Sequence, residues 1–279
     1  MTAHARVSTS VAIGPDGVAF SRVDDLRSEG PLVLRPTIAN RPEPLLRKDL
    51  RAARVALASG AAGPLGGDEF TLSVTVGAGS TLLLSEVSST LLLPGARGGR
   101  SHMRISITVE SGATFCWLPE PLVAARGCHH VHEIEVEVAP DATMLLRDEL
   151  VLGRYGEEPG RLSQRLRVAC EGRSIFQQRL DLGAGARGWR SPAVLGGHKC
   201  VGTVLAVAPD LATGTRQPQL IGDAAALLPL SGSGVVVSAM ADDTVRLRRR
   251  LEEGIELLGE PWTEGTAGSS DSTEGEREW

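Results

Sequence analysis

Three segments of this chain can be laid on one another: "VGAGSTLLLSE" (76–86), "VESGATFCWLPE" (109–120) and "VAPDATMLLRDE" (138–149). Each leaves an alternating strand, turns through Gly or Asp, and continues with a small residue, a Thr, a short apolar run and a Glu. Thr81, Thr114 and Thr143 mark a period of about thirty residues. A repeat of that size is a supersecondary unit that buries its apolar side by stacking on its neighbours. Around it, "EFTLSVTV", "RISITV", "HEIEVEV" and "RLRVAC" alternate polar and apolar residues, and Gly-rich turns such as "GPLGGD" and "PGARGGR" separate them. The unit is all β. The predicted fold is therefore an all-β, β-helix-like stack of short strands with few helices, and a two-sheet sandwich is the competing architecture.

The clearest helix signal covers Asp242 to Leu258, with Asp242 or Asp243 as N-cap and Leu247, Leu251, Ile255 and Leu258 on one face. Residues 1–19 read as a flexible N-terminus and 20–262 as a single β domain that includes this helix. The stretch 263–279, "TEGTAGSSDSTEGEREW", has the polar composition of a disordered tail. With aromatics at 3% of 279 residues, Leu, Val and Ala must fill the core.

Several function classes are disfavoured. A net charge of −5 and the lack of a basic stripe argue against nucleic-acid binding. No apolar run approaches the roughly 18 residues of a membrane span. The first residues lack the apolar core of a signal peptide, and Cys116, Cys128, Cys170 and Cys200 show no C-x-x-C spacing, which together predict a cytoplasmic protein. There is no G-x-x-x-x-G-K-[ST], H-E-x-x-H or G-x-S-x-G. The chain does not read as an enzyme.

Two groups of residues could carry chemistry. In "ARGCHHVHEIEVEV" (125–138), Cys128, His130 and His132 share a parity and leave an extended chain on one side. A thiolate and two imidazoles suit zinc or nickel. Alternate strand positions lie about 7 Å apart, so chelation by neighbours is awkward. A weak, exchangeable site and a packed strand start both stay open, as they do for His198 and Cys200. Among the acids, Asp68 in "GPLGGDEF" reads as a turn-closing residue or as a carboxylate presented at a strand mouth. Glu86, Glu120 and Glu149 end the three repeats, so stacking should gather them on one side. Glu86 reads as a solvated edge. Glu149 lies in an apolar setting where an ionised carboxylate needs a partner.

Three motifs in order, "GPLGGDEFTLSVTVGAGSTLLL" (63–84), "GATFCWLPEPLVAARGCHH" (112–130) and "LLRDELVLGRYGEEPG" (145–160), resemble the UreD family of urease accessory proteins, called UreH in some bacteria. "LRPTIAN" (34–40) sits where that family has its early "RP" segment, and the resemblance covers roughly residues 20 to 210. Where many members carry a Pro-Gly-Ala turn and a Lys-Phe-Tyr segment, this chain has "SEVSSTLLLPGARGGRS" and is similar to the shorter actinobacterial branch. The resemblance implies a non-catalytic scaffold that helps load nickel into apo-urease. It implies direct binding to UreF, dimeric in the assembly, recruitment of the GTPase UreG through UreF, and docking on the urease catalytic subunit. GTP would then be bound by a partner. No cofactor would be held tightly, and nickel would pass transiently through an internal tunnel. Carried over by motif, Asp68 is the first candidate for a tunnel carboxylate and Glu149 the second. Cys128, His130 and His132 are weaker metal candidates, because a thiolate–imidazole cluster would trap an ion that must be released. A β-stack interaction module without a nickel role is the alternative, and a metal-dependent hydrolase built on the Cys/His cluster is a third reading.

Overall fold

A computed structural model describes residues 1–38, 43, 45, 51–211 and 216–262. The first strands are β1 (Thr2–Ile13), β2 (Ala19–Arg27), β3 (Leu32–Pro36) and β4 (Ala53–Ser59). The repeats follow as β5 (Glu69–Val76), β6 (Thr81–Glu86) and β7 (Thr90–Leu92), then β8 (Ser101–Val109), β9 (Thr114–Leu118) and β10 (Leu122–Ala124). Next come β11 (His129–Val138), β12 (Thr143–Leu152), β13 (Arg161–Cys170) and β14 (Arg173–Gly183). The last are β15 (Cys200–Val207), β16 (Gln219–Leu220), β17 (Ala225–Pro229), β18 (Gly234–Ala241) and the helix α1 (Thr244–Glu256).

The chain coils as a β-solenoid of about four turns. One long face is the parallel ladder β1-β5-β8-β11-β13, and the second is β4-β6-β9-β12. The short strands β7 and β10 pair in parallel, β10 pairs in parallel with the end of β12, and together they form a narrow third face. The repeat is therefore a structural register: Thr81 pairs with Thr114, and Thr114 with Thr143. At both ends the chain reverses. β2 and β14 run antiparallel to β1 and β13 on the first face, and β3 and β15 to β4 and β12 on the second. Beyond β15, β18, β17 and β16 extend the second sheet.

Alternation builds the core. On β8, "SHMRISITV", Met103, Ile105, Ile107 and Val109 point inward and their neighbours outward. Stacking turns each inward position into a row: Leu72–Ile105–Ile134–Leu166 and Val74–Ile107–Val136–Val168 on one face, Leu82–Phe115–Met144 and Leu84–Trp117–Leu146 on the other. These side chains are essentially inaccessible, and full burial of each aliphatic one contributes about 1.5–3 kcal/mol. Few aromatics are needed because the rows of the first face are filled by branched chains of similar size, and Phe115 and Trp117 on the second face supply the larger side chains.

The N-terminal segment expected to be flexible is instead strand β1, whose Ala3, Ala5, Val7 and Thr9 are buried against the solenoid. The helix begins two residues inside the predicted span. Asp243 caps it, accepting from the Arg246 amide at 2.8 Å, and Leu247, Leu251 and Ile255 pack on the outer side of the second sheet. The segment 263–279, read as a disordered tail, lies outside the described residues.

Candidate functional site: a polar cavity inside the solenoid

At one end of the first face the apolar rows give way to polar residues. The next inward row is Phe70–Met103–His132–Gln164, and beyond it Ser101 pairs with His130 and His130 with Leu162. Asp68 stands at the same level, since the His102 amide donates to its carbonyl at 2.8 Å. Across the interior, the second face contributes Glu86 and Asp148. Both follow the parity of the inward rows, Leu82–Leu84–Glu86 and Met144–Leu146–Asp148. Between the faces lies a cavity of about 70 Å³, several times what one water molecule requires. His130, His132, Glu86, Asp148, Glu120 and Glu149 are among its lining residues.

Its buried polar atoms are incompletely partnered. His130 bonds Ser101 Oγ through Nδ1 at 2.8 Å, and Asp148 Oδ2 accepts from Gln164 Nε2 at 2.7 Å. His130 Nε2, His132 Nδ1 and Gln164 Oε1 have no hydrogen-bond partner among the described residues. A buried polar group left unpaired costs about 1–3 kcal/mol, so three together mark a place that serves something other than packing. The two imidazoles lie with ring centroids 5.9 Å apart. Burial, reinforced by the neighbouring imidazoles, holds His130 well below the usual histidine range and brings His132 to about 4. Both are then neutral at pH 7, the form that ligates metals. Burial raises Glu86 to about 8, and burial together with the Glu149 charge raises Asp148 to about 7.

The candidate residues are distributed unevenly around this cavity. Asp68 is buried but does not line it: Oδ2 accepts from the Leu65 amide at 2.8 Å, closing the glycine turn, and Oδ1 meets the Met1 amino group at 2.7 Å. It backs the wall at Gly63, where a Cβ would come within 3.3 Å of Oδ2. Glu149 faces the opposite side of β12 from Asp148, toward the helix. It bonds Arg248 of α1 at 2.9 Å and forms an ion pair with Arg147 at 3.1 Å, so the required partner is present twice. Arg248 also reaches Glu120 at 3.1 Å. Cys128 shares the buried face of His130 and His132 but packs in a separate apolar cluster, and burial holds its thiol up at about 11. His198 bonds Asp242 at 2.8 Å, and Cys200 is buried.

Two assignments change. Glu86 is not a solvated edge but a half-buried acid in the cavity wall. Asp148, passed over in favour of Glu149, is the acid that faces inward from β12. The error is one of phase: counting from the paired threonines, Thr81 to Glu86 is the same step as Thr143 to Asp148. Parity from the Thr ladder would have found both, whereas aligning terminal glutamates did not.

Fold and cavity together define a β-solenoid protein with a partly open, acid- and imidazole-lined interior. Comparison with known proteins makes that class specific. The model of the UreD urease accessory protein family matches residues 2–271, and the chain belongs to that family. It is similar to the urease accessory protein UreD of Streptomyces avermitilis, 39% identical over 258 residues, which cover 92% of this chain and 99% of that protein. The UreD of Streptomyces coelicolor is 38% identical over 254 residues (91% of this chain and 96% of that protein). That of Frankia casuarinae is 36% identical over 283 aligned positions, covering 90% and 88%. No helix among the described residues is long and apolar enough to cross a membrane.

Proposed function

We propose that this chain is a non-catalytic scaffold for nickel delivery to urease in the cytoplasm, and that the cation passes through the solenoid cavity. Family membership supports the urease connection. The observation that carries the role of the cavity is the pair of buried, unpartnered imidazole nitrogens in its wall, His130 Nε2 and His132 Nδ1, beside Glu86 and Asp148, with the unpartnered Gln164 Oε1 next to Asp148. Nickel is cargo here, and neutral imidazole with carboxylate is a donor set that accepts it. Asp68 acts from behind, fixing the Gly63 wall, and Glu149 acts at the rim. Cys128, outside the cavity wall, takes no part. In this reading UreF, as a dimer, binds the chain directly. UreG joins through UreF and supplies GTP hydrolysis, and the assembly docks on the urease catalytic subunit.

The test uses a host with the complete urease gene cluster and either Asp148→Asn or Asp68→Ala in this protein. Urease is purified, and its nickel content and activity are measured after confirming that the UreF complex still forms. Nickel-poor, inactive urease from Asp148→Asn cells with an intact complex is the expected result. Fully loaded urease from both would leave the chain as a docking module only.

A further inference from the structure

The corner between the second and third faces is not built alike in successive turns. Thr81, Thr114 and Thr143 form one rung, and Thr90, Leu122 and Leu150 form another. The second rung lies nine residues after the first in the earliest repeat, eight in the next and seven in the last. In the last repeat there is no corner, because β12 runs unbroken from one rung to the other. In the middle repeat the corner is Pro119-Glu120-Pro121, held by two fixed proline φ angles. In the earliest it is Glu86-Val87-Ser88-Ser89, without proline and with Val87 67% exposed. Added residues let a corner bow outward, so the hollow widens toward the start of the coil.

The cavity follows this taper. The exposed residues of its wall are Ser59 and Ser88, side by side on adjacent turns where Leu57 pairs with Glu86. Asp148, on the turn without a corner, is buried. The unpartnered His130 Nε2 and His132 Nδ1 belong to side chains that are 0% and 8% exposed and line the same space. No Lys or Arg among the described residues lines it. A cleft walled by groups of one sign in a low-dielectric surround draws in ions of the other.

We infer that the Ser59–Ser88 corner is the mouth of the cavity and the place where a divalent cation enters it, with Glu86 just inside and Asp148 on the closed turn. This rests on the reading of the cavity as a nickel path and deepens it by assigning the entrance. The experiment has two arms, both with the full chain. In the first, Met103→Cys places a thiol in the cavity wall. Its reaction with methyl methanethiosulfonate is followed on the purified protein by peptide mass spectrometry, which separates it from the native cysteines. Adding Ser88→Trp should slow that reaction by about tenfold or more, and Ser59→Trp should act in the same sense. Ser106→Trp, on the exposed outer side of β8, should leave the rate unchanged. Circular dichroism checks folding, and Ser59→Trp serves if the Ser88 variant does not fold.

In the second arm the Trp variants, without Met103→Cys, replace the native protein in a host with the complete urease gene cluster. Urease from Ser88→Trp cells should lose its nickel while the UreF complex still forms, and urease from Ser106→Trp cells should be fully loaded. Labelling that Ser88→Trp and Ser59→Trp leave unchanged would overturn the mouth. Slowed labelling with fully loaded urease would overturn its role in cation entry. In that case nickel-poor urease from Asp148→Asn cells keeps the nickel path and sinks only this entrance, whereas loaded urease from those cells sinks the path as well.

Discussion

Replacing Asp148 by Asn should flatten the dependence of stability on pH. The carboxyl is raised from 3.8 to about 7, chiefly by burial. Because the folded chain holds this proton more tightly than the unfolded chain, the contribution is fully present below pH 3.8 and is lost as pH rises through about 7. A shift of about three units corresponds to about 4 kcal/mol at 1.36 kcal/mol per unit. Water entering the cavity relieves part of it, so about 2–4 kcal/mol is expected. Asn keeps an oxygen to accept from Gln164 Nε2 and cannot ionise. The assay is denaturant unfolding of both proteins between about pH 3.5 and pH 8. The variant should match wild type at the acid end. It should be more stable by about 2–4 kcal/mol at the alkaline end, equivalent to roughly 5–10 °C in Tm. Glu86 adds to the effect in the same sense, since the Asp148 charge is one of the causes that raise it. Parallel profiles would refute the reasoning: they would show that Asp148 is ionised throughout and solvated in place.

Helix α1 offers two further tests. Asp243→Ala removes the N-cap bond to the Arg246 amide and should cost about 1 kcal/mol in thermal unfolding. Gly254→Ala sets two effects against each other. Alanine gains about 1 kcal/mol in helix propensity, but its Cβ would lie 2.4 Å from Val237 Cγ1 on β18. Overpacking of that kind costs about 1–3 kcal/mol, so a net loss of stability is expected, and a rise in Tm would show that the helix can lift off the sheet without penalty.

Much of the fold was legible because a solenoid writes its register into the chain. The threonines that marked the repeat are register partners on the adjacent strands β6, β9 and β12, and the alternating segments are the strands of the first face. Three features escaped. Strand β1 buries Ala3, Ala5, Val7 and Thr9, side chains too small or polar to stand out from their exposed Ser and Arg neighbours. The third face consists of three-residue strands, shorter than any periodicity can reveal. The cavity depends on which of two adjacent acids, Asp148 or Glu149, faces inward. That is settled by a one-residue step in strand phase, and the terminal glutamates of the repeats, which differ in their spacing from the threonines, hide it.

The reversals at the two ends of the coil bear on what copies of this chain can do to one another. A parallel stack whose rungs share one register is a template, and an open end would accept the first rung of another molecule as readily as its own next turn. β2 and β3 at one end, with β14 and β15 at the other, present strands of opposite direction, so the rung-on-rung pattern stops. The same geometry that allows a polar hollow to be built from successive turns would otherwise grow into filaments. The antiparallel end strands set the length of the coil and keep it from becoming a fibre.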